Sequence, residues 1–163
     1  MSSACEDTGP AFLADAMVLG LARWLRVAGF DVSSHPECHD RELVALSGQQ
    51  GRVLLTRDRD LVTHLRPARA VLLEAARPLE QVRELADALE LSAPAELFTR
   101  CLRCNRLLRP ATREEKARGI PATARDGPGP FRCCPGCGRL YWPGSHTRRM
   151  RAALERTMPE WFH

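Results

Sequence analysis

Apolar positions between residues 11 and 93 come in short runs separated by stretches with helical spacing. Phe12-Leu13-Ala14 reads as a buried strand ending at Asp15. From Leu19 to Ala28 the apolar residues Leu21, Ala22, Leu25 and Ala28 recur at helical intervals, and Gly29 stops the run. Phe30-Asp31-Val32 reads as a second strand. Asp40 opens a helix carrying Leu43, Val44 and Leu46, closed between Gly48 and Gly51. Arg52 to Thr56 is a third strand and Asp58 to Leu65 the helix after it. Ala70 to Leu73 is a fourth strand, and Pro78 starts a helix with Leu79, Val82, Leu85, Ala86 and Leu89 on one face. This alternation predicts an α/β fold, a parallel sheet with helices on both faces.

Pro94 marks a boundary, and beyond it the pattern changes. Cys101-Leu-Arg-Cys104 and Cys134-Pro-Gly-Cys137 are two C-x2-C pairs separated by 29 residues. Each pair puts two thiolates on one tight turn, and two such turns complete a tetrahedral zinc site. Four protein ligands leave no open position, so this zinc is structural. A Pro/Gly-rich segment this short buries too little core to hold without metal. Cys133 is a rival to Cys134, but choosing it makes the second pair C-x3-C. Tyr141-Trp142 packs the ribbon, and an amphipathic stretch over 145–157 follows. The expected organisation is a disordered 1–10, an α/β domain over 11–93, a zinc ribbon with a basic helix over 98–150, and a tail over 151–163.

Charge divides along the same boundary. Residues 1–99 carry 10 basic and 15 acidic residues, whereas residues 100–163 carry 14 and 5, which together give the net +4. All but one of the 24 basic residues are arginine, the side chain suited to bidentate phosphate contact and to stacking on bases. Arg148 and Arg149 are candidate RNA contacts on the last helix, and Arg23 and Arg26 on the first. No apolar run approaches the roughly 20 residues of a membrane span, and the acidic start is not a secretory signal. The expectation is a cytoplasmic protein with no membrane partner.

The parallel-sheet reading groups the acids. Ligands of open α/β sheets bind beyond the C-terminal strand ends. Asp15 follows the first strand, Asp40 begins the helix after the second, and Asp58 and Asp60 follow the third. All four fall on one rim, whereas Asp31 misses it. Carboxylates brought together repel unless a cation neutralises them, and Mg2+ or Mn2+ suits oxygen ligands. Such an ion can activate water for attack on a phosphodiester. The structural alternative makes Asp40 and Asp58 plain helix caps and Asp60 a dipole partner. No comparable structural reason is visible for Asp15.

The residues also carry a resemblance. Phe12-Leu13-Ala14-Asp15-Ala16-Met17, Leu21-Ala22-Arg23-Trp24-Leu25-Arg26 and Gly29-Phe30-Asp31-Val32 resemble the opening of the Mut-7 C-terminal RNase family. Leu54-Leu55-Thr56-Arg57-Asp58-Arg59-Asp60-Leu61 resembles its middle motif. Arg132-Cys133-Cys134-Pro135-Gly136-Cys137-Gly138 and Tyr141-Trp142-Pro143-Gly144-Ser145-His146, with Met150, resemble its end. The resemblance covers about 11–150 and implies a PIN-like nuclease domain with an appended zinc ribbon. It implies a ribonuclease with Asp15 and Asp58 as metal-binding acids, Asp60 as an accessory acid and Asp40, or its rival Glu42, at the second helix. Through the resemblance His146, beside Arg148 and Arg149, joins the candidate RNA contacts. The alternative is a non-catalytic RNA-binding or ribosome-associated module in which the ribbon carries the function.

Overall fold

A computed structural model describes residues 9–163, so most of the expected disordered start lies outside the described residues. The chain forms two compact units. One comprises Phe30–Ser92 with the chain up to Arg26, the other Ala93–His163 with Val27–Gly29.

The first unit alternates strand and helix: β1 (Phe12–Ala14), α1 (Leu19–Val27), β2 (Val32–Ser34), α2 (Asp40–Gln50), β3 (Val53–Thr56), α3 (Arg59–Leu65), β4 (Ala70–Leu72) and α4 (Pro78–Leu89). The four strands are all parallel, in the order β2-β1-β3-β4. β1 and β3 are buried along their whole length, as central parallel strands covered on both faces must be. Their apolar residues are therefore continuous rather than alternating. The connections through α1 and α2 run in opposite directions along the sheet, and with the usual right-handed crossover that puts the two helices on opposite faces. Leu13 and Leu54, side by side in register, pack with Leu43 of α2 and Leu61 of α3. Strand alternation turns Phe12, Val53, Ala14 and Leu55 to the other face.

The second strand sits two residues later than its apolar pattern suggests. Gly29 adopts a positive φ of 91°, and the Phe30 amide donates back to the Leu25 carbonyl at 3.0 Å. Phe30 thus closes α1 and packs edge-on against Phe12. Pairing with β1 begins only at Val32. Asp31 lies at the opposite end of the strands from the rim, where its carboxylate pairs with Arg52 at 2.8 Å.

The second unit contains β5 (Arg109–Pro110), α5 (Arg113–Gly119), α6 (Ala122–Arg125), β6 (Arg132–Cys133), β7 (Leu140–Tyr141) and α7 (Ser145–Thr157). β5, β6 and β7 form an antiparallel sheet of two-residue strands. Residues 151–163 are not a separate tail. α7 runs through the expected break at 150/151, and a 3₁₀ turn at Pro159–Phe162 follows it. Met150, Leu154, Met158 and Trp161 are all buried, which explains why the helix continues. Among the described residues no helix is long and apolar enough to cross a membrane.

Candidate functional site

The strand order makes a switch point. The chain leaves β1 toward β2 on one side and leaves β3 toward β4 on the other, which opens a crevice beyond the ends of those two central strands. Asp15 is the residue immediately after β1, and Asp58 lies two residues after β3. Asp15 is only 7% exposed. Its backbone N–H extends the ladder to the Leu55 carbonyl at 3.0 Å. One carboxylate oxygen accepts the Met17 amide, capping the 3₁₀ turn Ala16–Val18, and the other accepts the Thr56 hydroxyl. Thr56 is fully buried, and its oxygen in turn accepts the Asp58 amide at 3.0 Å. A hydrogen-bonded chain therefore runs from Asp15 through Thr56 to the backbone of Asp58. Asp15 does have a structural task, contrary to the sequence expectation, because a polar cap is what lets the chain turn sharply off a buried strand.

Asp58 caps α3, its Oδ1 accepting the amides of Asp60 (2.9 Å) and Leu61 (3.1 Å). Asp60 is exposed in the first turn of that helix. Asp40 is not a cap: it is the first helical residue, and His39 is the cap, its amide donating to the Glu42 carboxylate at 3.3 Å. Asp40 and Glu42 border a surface depression with Cys38, His39 and Arg41. Leu65, at the far end of α3 from Asp58 and Asp60, also lines it. Among the described residues the four cysteines alone bring three or more Cys, His, Asp or Glu ligand atoms within 4.8 Å of one another. No three of Asp15, Asp40, Asp58 and Asp60 close to that spacing.

Of the candidate cations, Arg26 is displaced by the structure. It is 6% exposed, and its guanidinium donates to the Val32 carbonyl (3.0 and 2.8 Å) and to Ser34 Oγ (3.2 Å). It ties α1 to β2 instead of facing solvent. Arg23 is exposed on α1, and His146, Arg148 and Arg149 are exposed on the first turns of α7. Gly144 caps that helix. Thr56 escaped the sequence reading. The available signal was a polar β-branched residue ending an otherwise aliphatic strand and leading into Arg57-Asp58.

The cysteine site is built from two equivalent turns. In the first, the Cys101 amide donates to the Arg106 carbonyl (2.8 Å) and the Asn105 amide to the Cys101 carbonyl (2.9 Å). In the second, Cys134 pairs with Arg139 (2.9 Å) and Gly138 with Cys134 (3.0 Å). Asn105 and Gly138 hold matching positive φ values of 66° and 75°, a conformation those two residue types tolerate. The Cys104 amide donates to Cys101 Sγ, and the Gly136 and Cys137 amides to Cys134 Sγ, at 3.3–3.5 Å. Cys133 Sγ instead donates to the Gly138 carbonyl at 3.5 Å, so Cys134 takes the ligand position.

Electrostatics around the thiols are divided. Burial opposes the Cys101 thiolate, but hydrogen bonds led by the Tyr141 hydroxyl, 3.2 Å away, bring this thiol down to about 7. The hydrogen bond with Cys137, with burial and the neighbouring thiols, pushes Cys104 up to about 12. Four such groups ionise together only around a cation. The geometry suits zinc: a Zn–S bond of about 2.3 Å implies tetrahedral S···S edges of about 3.8 Å, and Cys101 and Cys137 stand 3.7 Å apart. Zinc held there would cross-link the two turns, with Tyr141 as an outer hydrogen-bond partner.

Residues 10–154 match the family model described as the Mut7-C RNAse domain. No curated protein and no solved structure matches the chain. The matched span contains the switch-point acids as well as both cysteine turns, and the chain belongs to the Mut7-C RNAse domain family.

Proposed function

We propose that the protein is a metal-dependent ribonuclease that hydrolyses RNA phosphodiester bonds at the crevice between β1 and β3. The observation that carries this reading is the Asp15–Thr56–Asp58 connection, which links two acids from distant parts of the chain at the switch point of a parallel sheet. Each carboxylate has unused acceptor capacity beyond its capping bonds, since a carboxylate offers about four lone-pair sites. The donor set is all oxygen, which fits Mg2+ or Mn2+. Such a cation would supply charge neutralisation and Lewis acidity toward a phosphate oxygen. Thr56 holds Asp15 in place, and Asp58 fixes the start of α3 so that Asp60 stands beside it as the accessory acid. Asp40 is the outlying member. The Arg-rich second unit, through Arg148, Arg149 and His146, holds the RNA, and its zinc is structural. Thiolate ligands fit a reducing compartment such as the cytoplasm.

The test is RNA cleavage by the zinc-loaded protein with and without added Mn2+. Asp15→Asn and Asp58→Asn keep a side-chain oxygen for capping while removing the charge, so both variants should fold. Each should lose roughly a hundred-fold or more in rate, the scale of metal-assisted charge stabilisation. Full activity in both variants would exclude the acids from the chemistry. The second reading, a non-catalytic RNA-binding module, draws on the capping roles of Asp15 and Asp58. It predicts salt-sensitive RNA binding with no turnover under any divalent ion.

A further inference from the structure

Two stretches of the second unit are free of acids. Residues 97–113 and 127–154, which carry the two cysteine turns, hold five arginines each and no aspartate or glutamate. The fold brings carboxylates back to three of these arginines: Glu115 to Arg109, Glu96 to Arg132 and Glu155 to Arg151. Arg100 is buried against the backbone carbonyls of Gly29 and Asn105. Arg106 and Arg139 receive no such partner. Both are exposed, and among the described residues neither pairs with a carboxylate.

These two arginines hold the same place in the two turns. Each is the residue whose carbonyl accepts the amide of the leading cysteine, Cys101 for Arg106 and Cys134 for Arg139. The Arg106 side chain does not stay on its own turn. A Cβ built on Gly136 would meet Arg106 Cδ at 2.8 Å, Nε at 2.9 Å and Cζ at 3.3 Å, so the guanidinium lies over the glycine of the second turn. Arg139 ends that same turn, which the Gly138 amide closes on the Cys134 carbonyl. Two unpaired cations thus share one exposed turn, Pro135-Gly136-Cys137-Gly138, which carries no acid and no large apolar side chain.

The metal site does not account for them. Cys101 Sγ and Cys134 Sγ are served by backbone amides and the Tyr141 hydroxyl, and among the described residues neither guanidinium bonds to a sulfur. Zinc with four thiolates carries roughly two negative charges, and Arg106, Arg139 and the exposed Arg148 and Arg149 outnumber them. A surface that offers guanidinium groups without an apolar anchor suits a ligand held by charge along its length. A phosphodiester backbone is such a ligand, since a guanidinium forks onto a phosphate in two bonds. A protein partner needs a desolvated apolar centre, which this turn lacks. Gly136 and Gly138 leave the turn backbone open to close approach.

We infer that the second cysteine turn, with Arg106 laid across Gly136 and Arg139 at its end, is a phosphate-binding surface that holds the RNA backbone without reading its sequence. This deepens the ribonuclease reading and rests on it for RNA as the ligand, but its test needs no turnover. Fluorescence anisotropy of the full, zinc-loaded chain, without added Mg2+ or Mn2+, follows two RNA oligomers of unrelated sequence across a salt series. Arg106→Gln and Arg139→Gln should each weaken binding of both oligomers about three- to ten-fold. Each should also lower the slope of log affinity against log salt by about one, whereas Arg106→Lys, which keeps the charge, should keep the slope. Zinc content by mass spectrometry should stay that of the wild type. Arg125→Gln, which removes an exposed arginine outside the turns, and Leu107→Ser, at an exposed residue next to Arg106, should leave RNA affinity unchanged. An equal loss in Arg125→Gln overturns the proposal, because net charge alone would then explain the effect. An equal loss in Leu107→Ser overturns it as an apolar contact, and a loss on one oligomer only as sequence readout. Zinc release from either glutamine variant overturns it too, since the arginines would then serve the metal, as does unchanged affinity or absence of RNA binding. A wild-type protein that shows the expected affinity pattern but no Mn2+-dependent cleavage would refute the ribonuclease reading alone.

Discussion

The two units of this chain reach an ordered state by different physical routes. The first buries two central strands on both faces, with leucines of α2 and α3 on one side and other strand residues turned to the opposite face. The second has strands of only two residues and a helix, α5, that buries nothing. Its fixed points are two cysteine turns, a capped helix and the apolar side of α7. Burial is a distributed force, to which each side chain contributes modestly, whereas a metal cross-link concentrates its effect in four atoms. The first unit should therefore degrade gradually under substitution and the second abruptly.

The largest expected effect follows directly. Cys101→Ser removes one thiolate from the quartet and should abolish zinc binding and with it the tertiary structure of residues 98–143, because zinc affinity is folding free energy in such segments. Leu54→Ala in the first unit should cost about 2–5 kcal/mol and leave a folded sheet. Zinc content by mass spectrometry and amide spectra of each unit distinguish the two. A ribbon that keeps its dispersed amide signals in Cys101→Ser, or after chelation, would show that packing alone holds it.

The same contrast decides what could be read from the sequence. Where apolar spacing sets the structure, it was legible: β1, β3, α4 and α7 stand where their patterns put them. Where one hydrogen bond or one φ value decides, it was not. β2 begins at Val32 instead of Phe30 because Gly29 lets the chain fold back onto Leu25, a choice that apolar spacing does not encode. The cysteine quartet was legible because ligand spacing is local in sequence. The link between Asp15 and Asp58 was not, since it passes through Thr56, 41 residues from Asp15. Sequence could group the four acids but could not show that no three of them close to metal-ligand spacing.

Arg26 sharpens the comparison within the first unit. As a buried cation satisfied by backbone oxygen, it is a polar feature in an otherwise apolar unit. Arg26→Ala should lower stability by about 1.5–3 kcal/mol, the range for hydrogen bonds to a charged group, as measured by urea denaturation. RNA affinity of the folded variant should be unchanged. A loss of affinity without a loss of stability would return Arg26 to the surface role that its place on α1 suggested.

The smallest effect lies in the second unit, where a surface pair does the work that burial does in the first. Glu115 accepts two bonds from the Arg109 guanidinium, at 2.6 and 3.0 Å, and one from the Thr112 amide at 3.0 Å, while its own amide donates to Thr112 Oγ1. Arg109 first, then the Thr112 amide, holds the Glu115 carboxyl at about 2, below its ordinary 4.5. A carboxyl depressed by folding stabilises the folded state fully above its unfolded value and loses that contribution as pH falls toward the folded value. Between pH 7 and about 5 the stabilisation should therefore be constant. Glu115→Gln should speed amide exchange across Arg113–Gly119 by the same factor throughout that window, without releasing zinc. High salt should shrink the factor, because the pair is open to solvent. If wild type and variant exchanged at the same rate throughout that window, the carboxyl would not be depressed. The cap on α5 would then rest on Thr112 alone.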